Sequence, residues 1–397
     1  MKVILLGLGG GSVEMLTRQA INALKRSDMI IGAKRLINSI PKDFTPLRFC
    51  ANTANEIMTH LQNGKSDNAA VVFSGDSGFY SGAKSLLPLL EQSGIESDIL
   101  PGISSVQLLA SRLKRPWQDW KLVSAHGVEC DAVSEIMCGK PVFFLTGGKH
   151  DPSEICRQLV GAGLGDLTAV VGENLSCPDE KITAGSAEAL SGRVFSKLSV
   201  LLTEKAPLAP KRSSGWQDEC FIRGDVPMTK QLVRAAIISK LCVSPENTCW
   251  DIGAGTGSVS VELAAVSRRV FAVECSENAC DLIRKNRAKH MAWNLSLTQG
   301  NAPDALIGLP EPDVVFIGGS GGRLKDIIDY SLAKNPLARI CVSAIALETL
   351  NTAVKAFSSH GMETDITQIA VNRTKSAGNL HMLTASNPIF LITGNAI

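Results

Sequence analysis

Aromatic residues are scarce in this sequence, and neither sign of charge dominates. Phe, Trp and Tyr make up 5% of 397 residues, and only 2 are tyrosine. The formal net charge is +2. Nucleic-acid surfaces draw on a basic excess and, for RNA, on stacked aromatics, so neither composition nor charge supports such a partner. A membrane surface as main partner is unsupported for the same reason. The 11 cysteines include no Cys-x-x-Cys pair, so the spacing of a metal or redox site is missing. Cys156, Cys242 and Cys341, set in apolar stretches, read as small buried hydrophobes of a reducing compartment. No run approaches the roughly 18 uninterrupted apolar residues of a membrane span. The opening MKVILLGLGGG breaks into glycines too early for a signal peptide. A cytoplasmic chain is expected. The 6 histidines are spread out and form no catalytic triad. His126, in SAHG, reads as a loop or core histidine, with a catalytic role as the alternative.

The chain is too long for one ordinary core, so two domains are expected. Up to about residue 203, β-rich runs (Val3–Leu6, Met29–Ile31, Ala69–Phe73, Val142–Leu145, Leu198–Leu202) alternate with helical patterns such as VEMLTRQAINALK. In DPSEICRQLVGAG, Asp151 can cap a helix, Pro152 suits its first turn and Gly161 can end it. This alternation argues for α/β architecture. TEKAPLAPKRSSGWQDE then interrupts it with prolines, serines and a Lys-Arg pair, the signature of an exposed linker. The expected organisation is a domain over 1–204, a linker over 205–214 and a domain over 215–397. The second series opens on MTKQLVRAAIISKL, with Thr229 as cap. Strands follow at Thr248–Ile252, Val270–Glu274, Leu295–Thr298, Val314–Ile317 and Ile340–Val342. The last β-runs, Glu363–Val371 and Pro388–Ile392, have no helix-length segment between them, which predicts an antiparallel hairpin at the sheet edge.

In Asp251-Ile252-Gly253-Ala254-Gly255-Thr256-Gly257 the glycines follow G-x-G-x-G, with an acid two residues ahead. A dinucleotide fold uses the wider G-x-G-x-x-G. The tighter loop resembles the S-adenosylmethionine loop of Rossmann-like methyltransferases. There the glycines admit close backbone approach, and the helix after Gly257 can receive a carboxylate. Glu274, at the end of the next strand, can accept both ribose hydroxyls. GNAP, Gly300–Pro303, follows the third strand, where an adenine could lie.

At the other end of the chain, Leu8-Gly9-Gly10-Gly11 alone reads as a turn. It is followed in order by SGDSGFYSGA (Ser74–Ala83), PGISSVQLLASRL (Pro101–Leu113), PVFFLTGG and VVGENLS. That succession resembles the tetrapyrrole methylases, in which S-adenosylmethionine lies folded between two α/β halves. The family's loops are GxGPG and GDPG; this chain carries Gly7-Leu8-Gly9-Gly10-Gly11 and Gly75-Asp76-Ser77-Gly78, without either proline. PGISSVQLLASRLKRPWQDWKLVSAHG and VVGENLSCPDEKI look like the subgroup that methylates carbon 5 of a precorrin. DECFIRGDVPMTKQLVRA, WDIGAGTGSVSVELA, GNAP and PDVVFIGGSGG look like its carbon-15 partner. Joined in this order, they resemble the fused, decarboxylating precorrin methyltransferases of cobalamin biosynthesis.

The resemblance implies a tetrapyrrole methylase fold of two halves, followed by a Rossmann-like methyltransferase domain. It also implies two S-adenosylmethionine sites per chain. Carbon 5 would be methylated by the first domain. Methylation at carbon 15, with loss of carbon dioxide from an acetate side chain, would fall to the second. Cofactor contacts carried over are Gly9, Asp76, Gly78, Ser104 and Ser105 in the first domain. In the second they are Thr229, Gly253, Ala254, Gly255, Thr256, Gly257, Glu274 and Ala302. Asp76 fits either a contact or a catalytic base. The substrate carries many carboxylates, so basic residues should line the mouths. Arg234, Arg323, Arg112, Lys114 and Arg115 flank the motifs, and Arg223 and Lys230, beside MTK, are singled out as substrate contacts. The substrate the resemblance implies is a precorrin or its cobalt-containing counterpart, no metal site is implied, and a homo-oligomer is expected. Against this stands a first domain that is a non-catalytic tetrapyrrole-binding module.

Overall fold

The computed structural model describes residues 1–397 except 12, 45, 46, 65, 209–214, 396 and 397. The chain forms two compact units, Met1–Ala206 and Pro207–Ile397. Of the expected linker, residues 209–214 lie outside the described residues. Among those described, no helix is long and apolar enough to cross a membrane.

The first unit holds two five-stranded sheets. One comprises β1 (Lys2–Gly7), β2 (Met29–Gly32), β3 (Leu47–Cys50), β4 (Asn68–Phe73) and β5 (Glu96–Leu100), in the order β3-β2-β4-β1-β5. Every pairing in it is parallel. The central strands read as unbroken apolar runs because both faces are covered. Val3 and Leu5 enter one core, with Val71 and Leu86; Leu6, Ile30 and Ala70 enter the other. The second sheet runs β6 (Lys121–Ser124), β7 (Val142–Leu145), β10 (Ser199–Thr203), β8 (Thr168–Glu173), β9 (Lys181–Ser186), mostly antiparallel. Several of these strands, β3, β6 and β9 among them, escape the sequence reading because they are short and half exposed.

Local chemistry sets the helix ends. Asp151 accepts the Glu154 N–H at 2.8 Å and Pro152 opens the helix Pro152–Gly161, as its sequence predicts. The helix expected from Val13 instead begins at Arg18, after Thr17, whose hydroxyl oxygen accepts the Ala20 N–H.

The second unit is a seven-stranded sheet of β11 (Thr248–Ile252), β12 (Arg269–Glu274), β13 (Leu295–Gln299), β14 (Val314–Ile317), β15 (Arg339–Ala344), β16 (Glu363–Ile369) and β19 (Ile389–Asn395). Its order is β13-β12-β11-β14-β15-β19-β16. The first five are parallel, and β19 is antiparallel to both neighbours. The antiparallel pair at the edge is present. It is not a tight hairpin, however: β17 (Asn372–Ala377) and β18 (Leu380–Ala385) form a separate exposed hairpin between its strands. Cys341 is buried as expected, whereas Cys242 is exposed.

Thr229 does not cap the first helix of this unit. That helix is Gln231–Lys240, and the carboxylate of Asp218 accepts the Gln231 N–H at 2.9 Å. The cap comes from 13 residues upstream because Asp218 is held by Arg234. The fully buried guanidinium lies 2.9 Å from Asp218 and 2.8 Å from Glu262, over the Phe221 ring, and donates to the carbonyls of Trp216 and Thr229. Arg234 is thus an internal cross-link and does not line a mouth.

Glycine decides where loops after the strands of the first unit can cross. A Cβ on Gly7 would sit 2.6 Å from the Gly75 carbonyl oxygen and 2.7 Å from the Gly102 nitrogen. One on Gly102 would collide with the carbonyls of both Gly75 and Gly7. Gly102→Ala should therefore destabilise this unit by about 1–3 kcal/mol, the usual cost of overpacking. In hydrogen exchange, the amides of β1, β4 and β5 should open faster while those of β11 keep their wild-type rates. Unchanged protection of β1 would show that the crossing tolerates a side chain.

Candidate functional sites

In the first unit, the loops after β1 and β4, the helix start at Ser105 and the ends of β7, β8 and β10 surround a cleft of about 350 Å³. Gly9, Asp76 and Ser105 line it. Gly9 and Gly75 pair across the floor through mutual N–H to carbonyl bonds of 3.0 and 2.8 Å. Asp76 spends both carboxylate oxygens on backbone: Oδ1 accepts the Gly78 N–H at 2.9 Å and Oδ2 the Gly102 N–H at 3.0 Å. It ties the second glycine loop to the PGISS loop, which suits an organiser better than a base. Gly78 takes part through that bond and is not itself in the cleft wall. Ser104, buried, sits behind it in a box with Gln107, whose Oε1 accepts its N–H at 2.8 Å and its hydroxyl at 3.0 Å.

Both missing prolines have a local explanation. Ser77 donates its hydroxyl to the Leu100 carbonyl at 3.2 Å, holding the loop by a hydrogen bond in place of a ring. A Cβ on Gly10 would lie 2.8 Å from the Ser176 Cβ and closer still to its hydroxyl, so proline has no room there. Arg112 is ion-paired with Glu180 at 2.5 Å, and Arg115 with Glu204. Neither is a free cation awaiting a substrate. Residues of the cleft that the sequence reading left out include Arg35, Asn174, Lys197 and Ser199. Their signal is only that Arg35 and Asn174 follow β-runs while Lys197 precedes one and Ser199 opens it, and β8 and β10 are what bring the last three in.

In the second unit, one cleft of about 820 Å³ is lined by Thr229, Gly253, Ala254, Gly255, Thr256 and Glu274, together with residues of the Asp225–Met228 segment and of the loop after β15. A neighbouring space of about 530 Å³ shares Gly253 and Glu274 and adds Ala302, Asp304 and Arg323. These positions lie beyond the carboxyl ends of parallel strands, where open α/β sheets bind ligands. Gly253 has φ +70°, and a Cβ there would meet Gly319 backbone at 2.5 Å, so the loops after β11 and β14 touch directly. Gly257, φ +74°, starts the seven-residue helix Ser258–Ala264 and faces Ile283, away from both spaces. Arg223 and Lys230 are exposed and line neither. Arg323 bridges to Asp304 at 2.6 Å.

Glu274 is largely buried. Its Oε1 accepts the N–H groups of Cys275 and Ser276, both at 2.9 Å, and its Oε2 accepts that of Gly255 at 2.8 Å. A carboxylate offers about four acceptor positions, so one is left, on Oε2, directed to no protein group. The backbone cradle at Gly253 and this oriented carboxylate fit a nucleoside bearing a hydroxylated sugar. Asp251, ahead of the glycines, is fully buried; Oδ2 accepts the Ser260 hydroxyl and Oδ1 has no partner. Burial pushes its carboxyl up to about 7, with the Glu274 charge adding to the rise.

A glycine turn and an oriented carboxylate at the carboxyl edge of this sheet suit a nucleoside, and with the family matches they define the class: an S-adenosylmethionine-dependent α/β methyltransferase. The family described as tetrapyrrole (corrin/porphyrin) methylases matches residues 2–191, and the precorrin methyltransferase domain matches residues 219–394. A probable cobalt-precorrin-6B C(15)-methyltransferase (decarboxylating) of Pyrobaculum calidifontis is 38% identical over 192 residues, 47% of this chain and 98% of that protein. A precorrin-6Y C(5,15)-methyltransferase [decarboxylating] of Sinorhizobium is 33% identical over 264 residues, 64% of this chain and 62% of the relative. Among solved structures, a precorrin-6y C5,15-methyltransferase from Geobacter metallireducens is 37% identical, covering 46% of this chain and 98% of its own, with a TM-score of 0.45. The chain belongs to the family of decarboxylating precorrin methyltransferases.

The raised Asp251 carboxyl has a pH consequence. Between about pH 4 and 7 the folded state keeps a proton that the unfolded chain has released. The associated stability is complete below the unfolded value of 3.8 and is lost as pH rises through about 7. Asp251→Asn should remove this component. Urea midpoints of the second unit, followed by exchange of β11 amides, should then fall less between pH 5 and 8 than in the wild type. An unaltered slope would mean that Asp251 is ionised in the fold.

Proposed function

We propose that the chain methylates a precorrin macrocycle at carbons 5 and 15 and removes carbon dioxide from an acetate side chain, in cobalamin biosynthesis, consuming S-adenosylmethionine at a separate site in each unit. What carries this reading is that one chain matches both families in succession and bears a glycine-lined cleft in each unit. The Pyrobaculum relative is named for carbon 15 and the Sinorhizobium relative for both carbons. The first unit takes carbon 5 and the second takes carbon 15 with the decarboxylation.

S-adenosylmethionine supplies an electrophilic methyl on a cationic leaving group, so the protein's task is to hold an electron-rich ring carbon in line with it. Gly253 and Gly255 let backbone approach the cofactor in the second unit, and Glu274 takes a ribose hydroxyl. Thr229 stands at the wall of that cleft, its carbonyl held by Arg234. In the first unit, Gly9 and Ser105 line the cofactor cleft and Asp76 fixes the loops that shape it. A proton sink for the carbon-5 step is not among these contacts. Arg223 and Lys230, exposed beside the Asp225–Met228 segment, would meet substrate carboxylates outside the cleft.

Calorimetric titration should give two S-adenosylhomocysteine molecules per chain. Gly255→Val should leave one and abolish both carbon-15 methylation and carbon dioxide loss, because the substitution forces a branched side chain into φ +56° against the Pro227 carbonyl. Asp76→Ala, which frees the Gly78 and Gly102 amides, should instead yield a decarboxylated product with a single added methyl. Mass spectrometry of products from metal-free and cobalt-loaded substrates reads both. A wild-type stoichiometry of one would make the first unit a binding module, and carbon dioxide loss at full rate in Gly255→Val would place decarboxylation elsewhere.

A further inference from the structure

The carbon-5 step needs a proton sink, and the cleft of the first unit contains one group built for it. Forming the bond from ring carbon to methyl breaks the sulfonium carbon–sulfur bond, whose electron pair goes to sulfur. The ring is left cationic and must give up one proton to restore its conjugation. Asp76 is engaged in holding the loops together, each of its oxygens accepting a backbone N–H.

His126 is different. It follows β6, on the cleft wall beside Leu145 and Thr146. Its Nδ1 lies 3.1 Å from the Thr146 carbonyl oxygen. A carbonyl only accepts, so Nδ1 carries the hydrogen and Nε2 presents a lone pair. Thr146 is itself fixed, its hydroxyl donating to the Ser199 carbonyl at 2.6 Å. The ring's place is also reserved by its neighbour: a Cβ on Gly147 would lie 2.6 Å from His126 Cε1 and 2.9 Å from Cγ. Gly147 does not have a positive φ, so the glycine there makes space for the imidazole and is not required by its own backbone. Among the described residues, three of the six non-glycine residues with positive φ, Tyr80, Asn174 and Ser176, belong to the segments that build this cleft, and such strain gathers at working sites.

We propose that His126 is a catalytic residue of the first unit, its Nε2 accepting the proton released on carbon-5 methylation. The inference rests on the carbon-5 reading of that unit. The titratable groups sharing the cleft are Arg35, Asp76, Tyr80, Cys177 and Lys197. On the adjacent loops Glu129 pairs with Lys149 and His150.

The decisive substitution is His126→Asn. Its amide N–H can still donate to Thr146, keeping the structural tie, but nothing replaces Nε2. Carbon-5 methylation should fall by about 100-fold or more, the usual worth of a positioned base. S-adenosylhomocysteine binding to the first unit, carbon-15 methylation and carbon dioxide loss should all stay at wild-type values. The wild-type carbon-5 rate should rise with pH and the variant's should not. Gly147→Ala, which retains the histidine but displaces its ring, should lower the same rate by about tenfold or more, since small misplacements of a reacting group are costly. Independently of turnover, nitrogen-15 NMR of histidine-labelled wild-type protein should show the Nδ1–H tautomer at His126.

Carbon-5 methylation within about threefold of wild type in His126→Asn, against the large loss a positioned base entails, overturns the proposal. So do the Nε2–H tautomer and a wild-type rate that falls as pH rises, which would make the imidazolium a clamp for a substrate carboxylate. Loss of S-adenosylhomocysteine binding together with the rate would assign His126 a structural role. If wild-type protein transfers no methyl to carbon 5 while carbon 15 is methylated, the functional reading of the first unit fails, and that result is separate from the others.

Discussion

Direct contact of backbone with backbone at the carboxyl ends of parallel strands is the constraint on which both units depend. In the first, no Cβ fits on Gly7 or Gly102, which meet each other and the Gly75 carbonyl; in the second, none fits on Gly253, which meets the Gly319 backbone. Parallel strands leave their loops side by side at one edge of the sheet. Side chains at the crossings would hold those loops apart and fill the space a ligand's flat or phosphate-free parts must enter. Removing them lets the loops pack on each other while the cleft remains open beside them. The glycines after β1 and β11 look alike in sequence for this reason, although the sheets behind them differ.

The same economy governs the carboxylates nearest the clefts. Asp76 and Glu274 each give acceptor capacity to backbone N–H groups of the loops they stabilise. Such groups arrive at the ligand already oriented and need not reorganise on binding. Asp218 and Glu262 lie deeper and are compensated by Arg234, which also holds the carbonyls of Trp216 and Thr229. A buried ion pair of this kind adds little net stability, yet removing one partner costs several kcal/mol because the other is left uncompensated. Here it fastens the entry segment of the second unit to the helix Gln231–Lys240 and sets the position of Thr229. Asp251 alone among these acids has an oxygen without a partner, and burial holds its proton to near neutrality.

Much of the fold could be read from residue order. Central strands such as β1, β4 and β11 are apolar on both faces and announce themselves. Short or half-exposed strands such as β3, β6 and β9 do not, because their pattern depends on what covers them. The start of Gln231–Lys240 was misplaced for a related reason. Thr229 is a good local cap, but a carboxylate fixed by a buried arginine reached the helix first. Basic residues were the least legible. Arg112, Arg115, Arg234 and Arg323 stand beside the ligand motifs in sequence, and each finds an acidic partner in the fold. Sequence proximity gives no information on which carboxylate folds back against a given guanidinium.

By itself the sequence determined that the chain is α/β, that its glycine loops sit after strands, and which family those loops belong to. Such features depend on backbone freedom and on spacing along one segment, which are local properties. Only the tertiary structure decided that Asp76 is tied to two loops, that Glu274 has one acceptor position left, and that Arg234 is buried. It alone decided that His126 and Gly147, 21 positions apart, share one space with Thr146. Each of these follows from which strands the sheet places side by side, and strand order across a sheet is a property of the whole chain.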